Sequence, residues 1–124
     1  MKVLLIESES PVRERLAREI SELSDVSIEI QDPDDVGVAG TIAQLRPDVV
    51  LIDIDHSCGR GLEIIERFHG QRTEGTPIIV AIASSNSLQY RASCHKAGAA
   101  FFFNRLREQD WLLDSLVAIQ EQLK

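Results

Sequence analysis

A chain of 124 residues, 44% hydrophobic and 27% charged, is long enough to bury one core and too short for a second. Its formal net charge of −7 argues against general nucleic-acid binding, which rests on Lys and Arg neutralising phosphates. No apolar run approaches the roughly 20 residues needed to cross a bilayer, and MKVLLIESES leads into acids rather than a small-residue cleavage site, so a cytoplasmic protein without membrane association is expected.

Strand-like and helix-like segments alternate along the chain. KVLLI (2–6) reads as a first strand, and Ser10-Pro11 as the cap and first position of a helix whose Val12, Leu16, Ile20 and Leu23 share one face. VSIEI (26–30) is a second strand. The acidic DPDD (32–35) suits a turn and helix N-terminus, since carboxylates favour that end, and the helix of 35–45 is stopped by Pro47. DVVLIDI (48–54) and PIIVAIA (77–83) are continuously apolar, as strands covered on both faces are. Helices are expected over 61–70 and 86–97, the latter capped by Gly98. AAFFF (99–103) is a fifth strand, and Leu112, Leu116, Ile119 and Leu123 mark a last helix. Five such units imply an α/β fold: a five-stranded parallel sheet with helices on both faces, because parallel neighbours need crossover connections.

Reactive groups in such sheets gather beyond the carboxyl ends of the strands, where strand order reverses. The segments there are ESES (7–10), DPDD (32–35), DIDHSCGRG (53–61), SSNS (84–87) and NRLRE (104–108). With strand order 2-1-3-4-5, Glu7 and Asp53 end adjacent strands. Two converging carboxylates repel unless a proton or cation intervenes, and Mg²⁺ takes oxygen ligands of this type. A phosphoryl donor neutralised there could be attacked by Asp53. The plainer alternatives are a helix-capping or solvated Asp53, and Arg105 as an internal counter-ion. His56, His69 and His95 have no metal-binding spacing and read as surface or loop residues. Cys58 and Cys94 lack CxxC spacing and are given no role.

VLLIESESPVRERL (3–16), RPDVVLIDIDHSCGRGLEII (46–65), TPIIVAIAS (76–84) and KAGAAFFFNRL (96–106), in that order and spacing, resemble the receiver (CheY-like) domain of two-component response regulators. The resemblance spans nearly the whole chain and implies one receiver domain over 1–124 with no output domain. It implies Asp53 as phosphoacceptor and Glu7, Asp53 and the backbone carbonyl of Asp55 around Mg²⁺. Arg105 falls where the family has a lysine, and Phe102 where it has an aromatic switch residue. The three phenylalanines at 101–103 read as core residues, Phe102 being the one whose partial exposure would surprise least.

The sequence departs from the family pattern at three places. Ser8 stands where a second acid is usual, so metal affinity is expected to fall, with Glu9 pointing elsewhere. Ile82 stands where a Thr or Ser hydroxyl would reach the phosphoryl group, with Ser84 further out along the loop. Arg105 keeps the charge but is planar and longer than lysine. The expectation is a stand-alone receiver with a degenerate site, phosphorylatable at Asp53 but impaired in switching. Its only enzymatic activity would be self-phosphorylation. The implied partners are a histidine kinase or phosphotransfer protein upstream and a protein on the face of the fourth helix, fifth strand and fifth helix. A homodimer through the last helix and fifth strand is a family-level expectation. The alternative is a phosphorylation-independent interaction module. A more distant one is a haloacid-dehalogenase-like phosphatase, suggested by DIDHS (53–57), but that family places the motif on its first strand and needs a later lysine and acidic metal ligands that the remaining chain hardly supplies. Flavin binding is disfavoured by a glycine-free, acidic ESESP, and cobalamin binding by His56 directly following Asp55.

Overall fold

The computed structural model describes residues 1–7, 10–32, 38–54, 60–69, 77–83, 88–105 and 107–123, with backbone alone at 39, 60–61, 67–69 and 88–90. The elements alternate as expected: β1 (Lys2–Ile6), α1 (Pro11–Ser21), β2 (Ser27–Gln31), α2 (Val38–Leu45), β3 (Val49–Asp53), α3 (Arg60–His69), β4 (Ile78–Ala83), α4 (Leu88–Ala97), β5 (Phe101–Asn104) and α5 (Gln109–Gln122). All pairings are parallel, and the strand order is β2-β1-β3-β4-β5.

Side chains alternate across this sheet and fill two cores. Leu4, Ile6, Val50, Ile52, Ile79, Ala81 and Phe102 pack with α2, α3 and α4 residues such as Ile42, Ile65 and Cys94. Val3, Leu5, Val49, Leu51, Val80, Ile82 and Phe103 pack with Leu16, Ile20, Leu112, Leu116 and Ile119 of α1 and α5. Central β3 is buried at all five positions, whereas edge strand β2 is mostly exposed or half-buried. Each fully buried Leu or Ile of β3 contributes about 1.5–3 kcal/mol of hydrophobic stabilisation.

Local chemistry sets the element ends. Ser10 accepts from the Arg13 N–H at 3.1 Å and Pro11 opens α1. Arg46, ahead of Pro47, leaves the helical region with φ 51 and ends α2 at Leu45. Gly98, with φ 125, turns the chain after α4 while its N–H bonds Cys94 O. That turn occupies Ala99 and Ala100, so β5 begins at Phe101 rather than residue 99. Three apolar residues depart from the expected burial. Val12 is 48% and Leu123 52% exposed, the first at the mouth of a cleft and the second past the end of α5. Among the phenylalanines, Phe101 is the exposed one, at 38%, and Phe102 is buried at 3%. Phe102 faces the α4 side, whereas Phe101 lies at the open start of an edge strand. The expected start of α2 at residue 35 lies outside the described residues. No helix among the described residues is long and apolar enough to cross a membrane.

Candidate functional site

The sheet register brings the chemistry together. Leu5 pairs with Leu51 and Ile6 with Ile52, so Glu7 follows β1 at the level of Asp53 in β3. Asp53 pairs in turn with Ile82 of β4, and Ile82 with Phe103 of β5, two residues before Arg105. The period of two then points Glu7, Asp53, Ile82 and Arg105 to the α1/α5 side. Neighbouring strands fix the backbones of the outer two. The Glu7 N–H donates to Gln31 O at 3.1 Å and the Arg105 N–H to Ala83 O at 2.9 Å. Arg13 reaches back from α1 and donates from Nη1 to Glu7 O at 3.1 Å.

The Arg105 guanidinium lies between the two acids. Nη1 donates to Glu7 Oε1, and Nη2 lies 3.1 Å from Asp53 Oδ2, close enough for an ion pair but without hydrogen-bond alignment. The side chains of Asp53, Glu7 and Arg105 are 0%, 2% and 11% exposed. Glu7 Oε2 is buried and has no hydrogen-bond partner among the described residues. Burial is the main force pushing the Glu7 carboxyl above its ordinary range. The Arg105 bond and charge oppose it, while Asp53 adds to it by repelling the ionised form and bonding the protonated one. Ile82, 0% exposed, stands beside Asp53 as an apolar wall.

Expected site residues are thus only partly described. Glu7, Asp53 and Arg105 converge, and Arg105 pairs with both acids, the counter-ion arrangement left open above. Ile82 is adjacent to Asp53, and Phe102 lies on the opposite face of β5. Ser8, Glu9, Asp55, His56, Cys58 and Ser84 fall outside the described residues, as does the His69 side chain. Cys94 is a buried core residue of α4 and His95 an exposed one whose Nδ1 lies 3.0 Å from Ala99 O.

The donor set speaks against an open magnesium site in this arrangement. Carboxylate oxygens suit the ion, but Mg²⁺ demands six near-ideal oxygen ligands, and the guanidinium already holds one oxygen of each acid. No cluster of three or more His, Cys, Asp or Glu that could hold a metal occurs among the described residues. Arg105 also lines an open cleft of about 560 Å³ between α1 and α5, with Val12, Arg107 and Leu113.

A second polar cluster joins Glu108, in the NRLRE segment after the fifth strand, to Arg91, which the sequence did not single out. Arg91 of α4 lies over the Phe102 ring, 4.7 Å from its centroid, and pairs with Glu108 at 2.8 Å ahead of α5. Glu108 lies in the segment beyond the fifth strand, whereas Arg91 carries no sequence signal beyond its position on a weakly amphipathic helix near the sheet edge.

No family profile and no curated protein matches the chain. Solved structures do. The BeF₃-activated N-terminal receiver domain of RstA from Klebsiella pneumoniae superposes with a TM-score of 0.81 at 22% identity, over 95% of this chain and 97% of that one. A response regulator receiver protein from Pseudoalteromonas atlantica gives 0.76 at 17% identity, with 100% of both chains covered. An atypical orphan response regulator described as having a phosphorylation-independent regulatory mechanism gives 0.74 at 14% identity, covering 96% and 94%. The chain has the receiver fold.

Proposed function

We propose that this chain is a receiver module of two-component signalling, phosphorylated at Asp53 against resistance from its own pocket and acting through protein contacts on the α4–β5–α5 face. The observation that carries this is the convergence of Glu7, Asp53 and Arg105 at the carboxyl edge of a receiver-type sheet. In the reaction, an Asp53 carboxylate oxygen attacks the donor's phosphorus. The bond from phosphorus to the donor's leaving atom breaks, the electron pair departs with the leaving group, and an aspartyl phosphate remains. Arg105 supplies positive charge for the phosphoryl oxygens, as a planar fork suited to them. It must first give up at least one carboxylate to do so. A magnesium ion, where bound, would neutralise phosphoryl charge, and its affinity is low because it competes with Arg105 and meets Ser8 where the family has an acid. Ile82 gives the phosphoryl group carbon in place of a hydroxyl donor, so the altered state gains little differential stabilisation. The phosphodonor is a histidine kinase or a phosphotransfer protein.

The complete burial of Asp53 and its pairing with Arg105 favour a second reading, a phosphorylation-independent interaction module. The fold hosts both modes among the structures above, one described as BeF₃-activated and one as phosphorylation-independent. Incubation with Mg²⁺ and a small acyl phosphate, followed by intact-mass measurement, separates them. The expected result is gain of one phosphoryl group, absent from Asp53→Asn. No gain in the parent chain leaves the second reading standing.

A further inference from the structure

Three contacts converge on one guanidinium at the edge of the sheet. Arg91 covers the Phe102 ring face at 4.7 Å, its Nη1 donates to Phe102 O at 3.2 Å, and its Nη2 pairs with Glu108 Oε1 at 2.8 Å. That same oxygen accepts the Asn104 N–H at 2.9 Å, and the Glu108 N–H donates to Asn104 O at 2.7 Å. One side chain of α4 therefore grips the ring and backbone of β5 together with the residue that opens α5. Inside this grip Phe102 is 3% exposed in the core with Ala81, Cys94 and Ala97. The Arg91 side chain is itself 30% exposed, so it forms the outer cover of the ring.

We propose that Arg91 is a latch: it fixes Phe102 inward and holds the α4–β5–α5 face in one arrangement until its fork is released. The latch deepens the receiver reading, since that face is the one proposed to meet a partner. Phe102 leaves the core only when the guanidinium over it moves, and moving it breaks the ring contact, the carbonyl bond and the ion pair together. Coupled contacts of this kind give two discrete arrangements rather than a graded shift. Glu108 is suited to its part. Burial pushes its carboxyl up, but the Asn104 N–H and Arg91 outweigh that and hold it below the ordinary range. Arg91 acts through Phe102 and is a positioning residue.

The test uses the full chain labelled with fluorophenylalanine, without metal or phosphodonor, with the Phe102 resonance assigned through Phe102→Leu. The four phenylalanines supply internal references, Phe101 exposed and Phe103 buried. In the parent chain the Phe102 signal is expected to be single and to lack an H₂O/D₂O isotope shift. In Arg91→Ala it should acquire a shift approaching that of Phe101, or split in two, with Phe103 unchanged. Glu108→Gln keeps the acceptor for Asn104 and loses the ion pair, so it should give an intermediate response even if Arg91→Ala folds poorly. Arg91→Lys, with a cation but no fork, should restore only part of the inward population. An unchanged Phe102 signal in both Arg91→Ala and Glu108→Gln overturns the latch, as does an equal change at Phe103, which would mean general loosening. Mg²⁺ and beryllofluoride are then added. Amide shifts should stop short of β5 in the parent chain and reach Phe102 in Arg91→Ala. Absence of any shift around Asp53 counts against the receiver reading, whereas the ring signals alone decide the latch.

Discussion

Replacing Arg105 by Met removes the only cation that the described residues place between two buried carboxylates. Neither acid can turn to water, with side-chain exposures of 2% and 0%. Removing one partner of a buried ion pair ordinarily costs about 3–5 kcal/mol, because the remaining charge is left uncompensated. Glu7 provides a partial escape. Its carboxyl is already raised by burial, and the two influences that hold it down are the Arg105 bond and charge. Without them burial and Asp53 push the carboxyl further up, which favours the protonated form that can donate to Asp53 and places the expected loss near the lower end, about 3 kcal/mol. With a urea m-value of roughly 1–3 kcal/mol per M, the unfolding midpoint falls by about 1–3 M. The sign with pH follows from proton counting. A carboxyl raised further in the variant's native state binds its proton more tightly than in the unfolded state, so the deficit shrinks as pH is lowered. Urea titrations of the parent, Arg105→Met and Arg105→Met with Glu7→Gln at pH 7 and pH 5 check this. The double variant should recover part of the loss at pH 7, because Gln carries no charge and can donate to Asp53. Equal stability of Arg105→Met and the parent, within about 0.5 kcal/mol at pH 7, would refute a guanidinium seated between the acids.

Glu7→Gln alone should flatten the pH dependence of stability. A carboxyl raised in the folded state contributes stability fully below its unfolded value of 4.5 and loses it as pH rises through the folded value, so the parent's urea midpoint should fall with pH above 4.5 more steeply than the variant's. Ser10→Ala removes the acceptor of the Arg13 N–H and should cost about 1 kcal/mol in thermal unfolding, with fold and phosphoryl uptake unchanged. Ile82→Thr introduces a hydroxyl beside Asp53 at the cost of buried carbon. It should lower stability by about 1–3 kcal/mol while raising the yield or persistence of phosphorylated Asp53 in intact-mass measurements. An unchanged yield would mean that residue 82 does not face the phosphoryl group.

The fold was legible because burial demands contradict each other at few positions. DVVLIDI (48–54) and PIIVAIA (77–83) are apolar without alternation, which only a strand covered on both sides tolerates, and Ser10-Pro11 and Gly98 carry their cap chemistry in residue type. Val12 misled because periodicity assigns a face, not the depth to which a neighbouring helix covers it. The first turn of α1 overhangs the open cleft, so a residue on the correct stripe stays exposed. Phe101, read as core, is exposed for a related reason. An FFF run has no pattern of its own, and the register with Val80 and Ala81 decides which ring meets α4. Of the site, the acids could be placed from the ends of the first and third strands, and Arg105 from its motif. The Arg91–Glu108 pair could not, since its members are 17 residues apart on elements whose relative rotation no local pattern encodes.

Arg105 also explains why two acids can share a site that burial makes hostile to both. A lysine ammonium at that position is a compact charge, whereas the guanidinium presents two nitrogens in a fixed plane, one towards Glu7 and one towards Asp53. Its backbone N–H is bound to Ala83 O, so the fork is aimed from a fixed root at the end of β5. The pocket is thereby filled by its own cation, whose bond and charge oppose the burial and the Asp53 repulsion that raise the Glu7 carboxyl. An entering phosphoryl group gains from Arg105 only the difference between its own attraction and that of the carboxylate it displaces. An acid-depleted variant such as Glu7→Gln weakens that competitor. The same substitution that simplifies the pH dependence should therefore free the guanidinium for an anion, an effect opposite in sign to the loss expected if Glu7 serves only as a metal ligand.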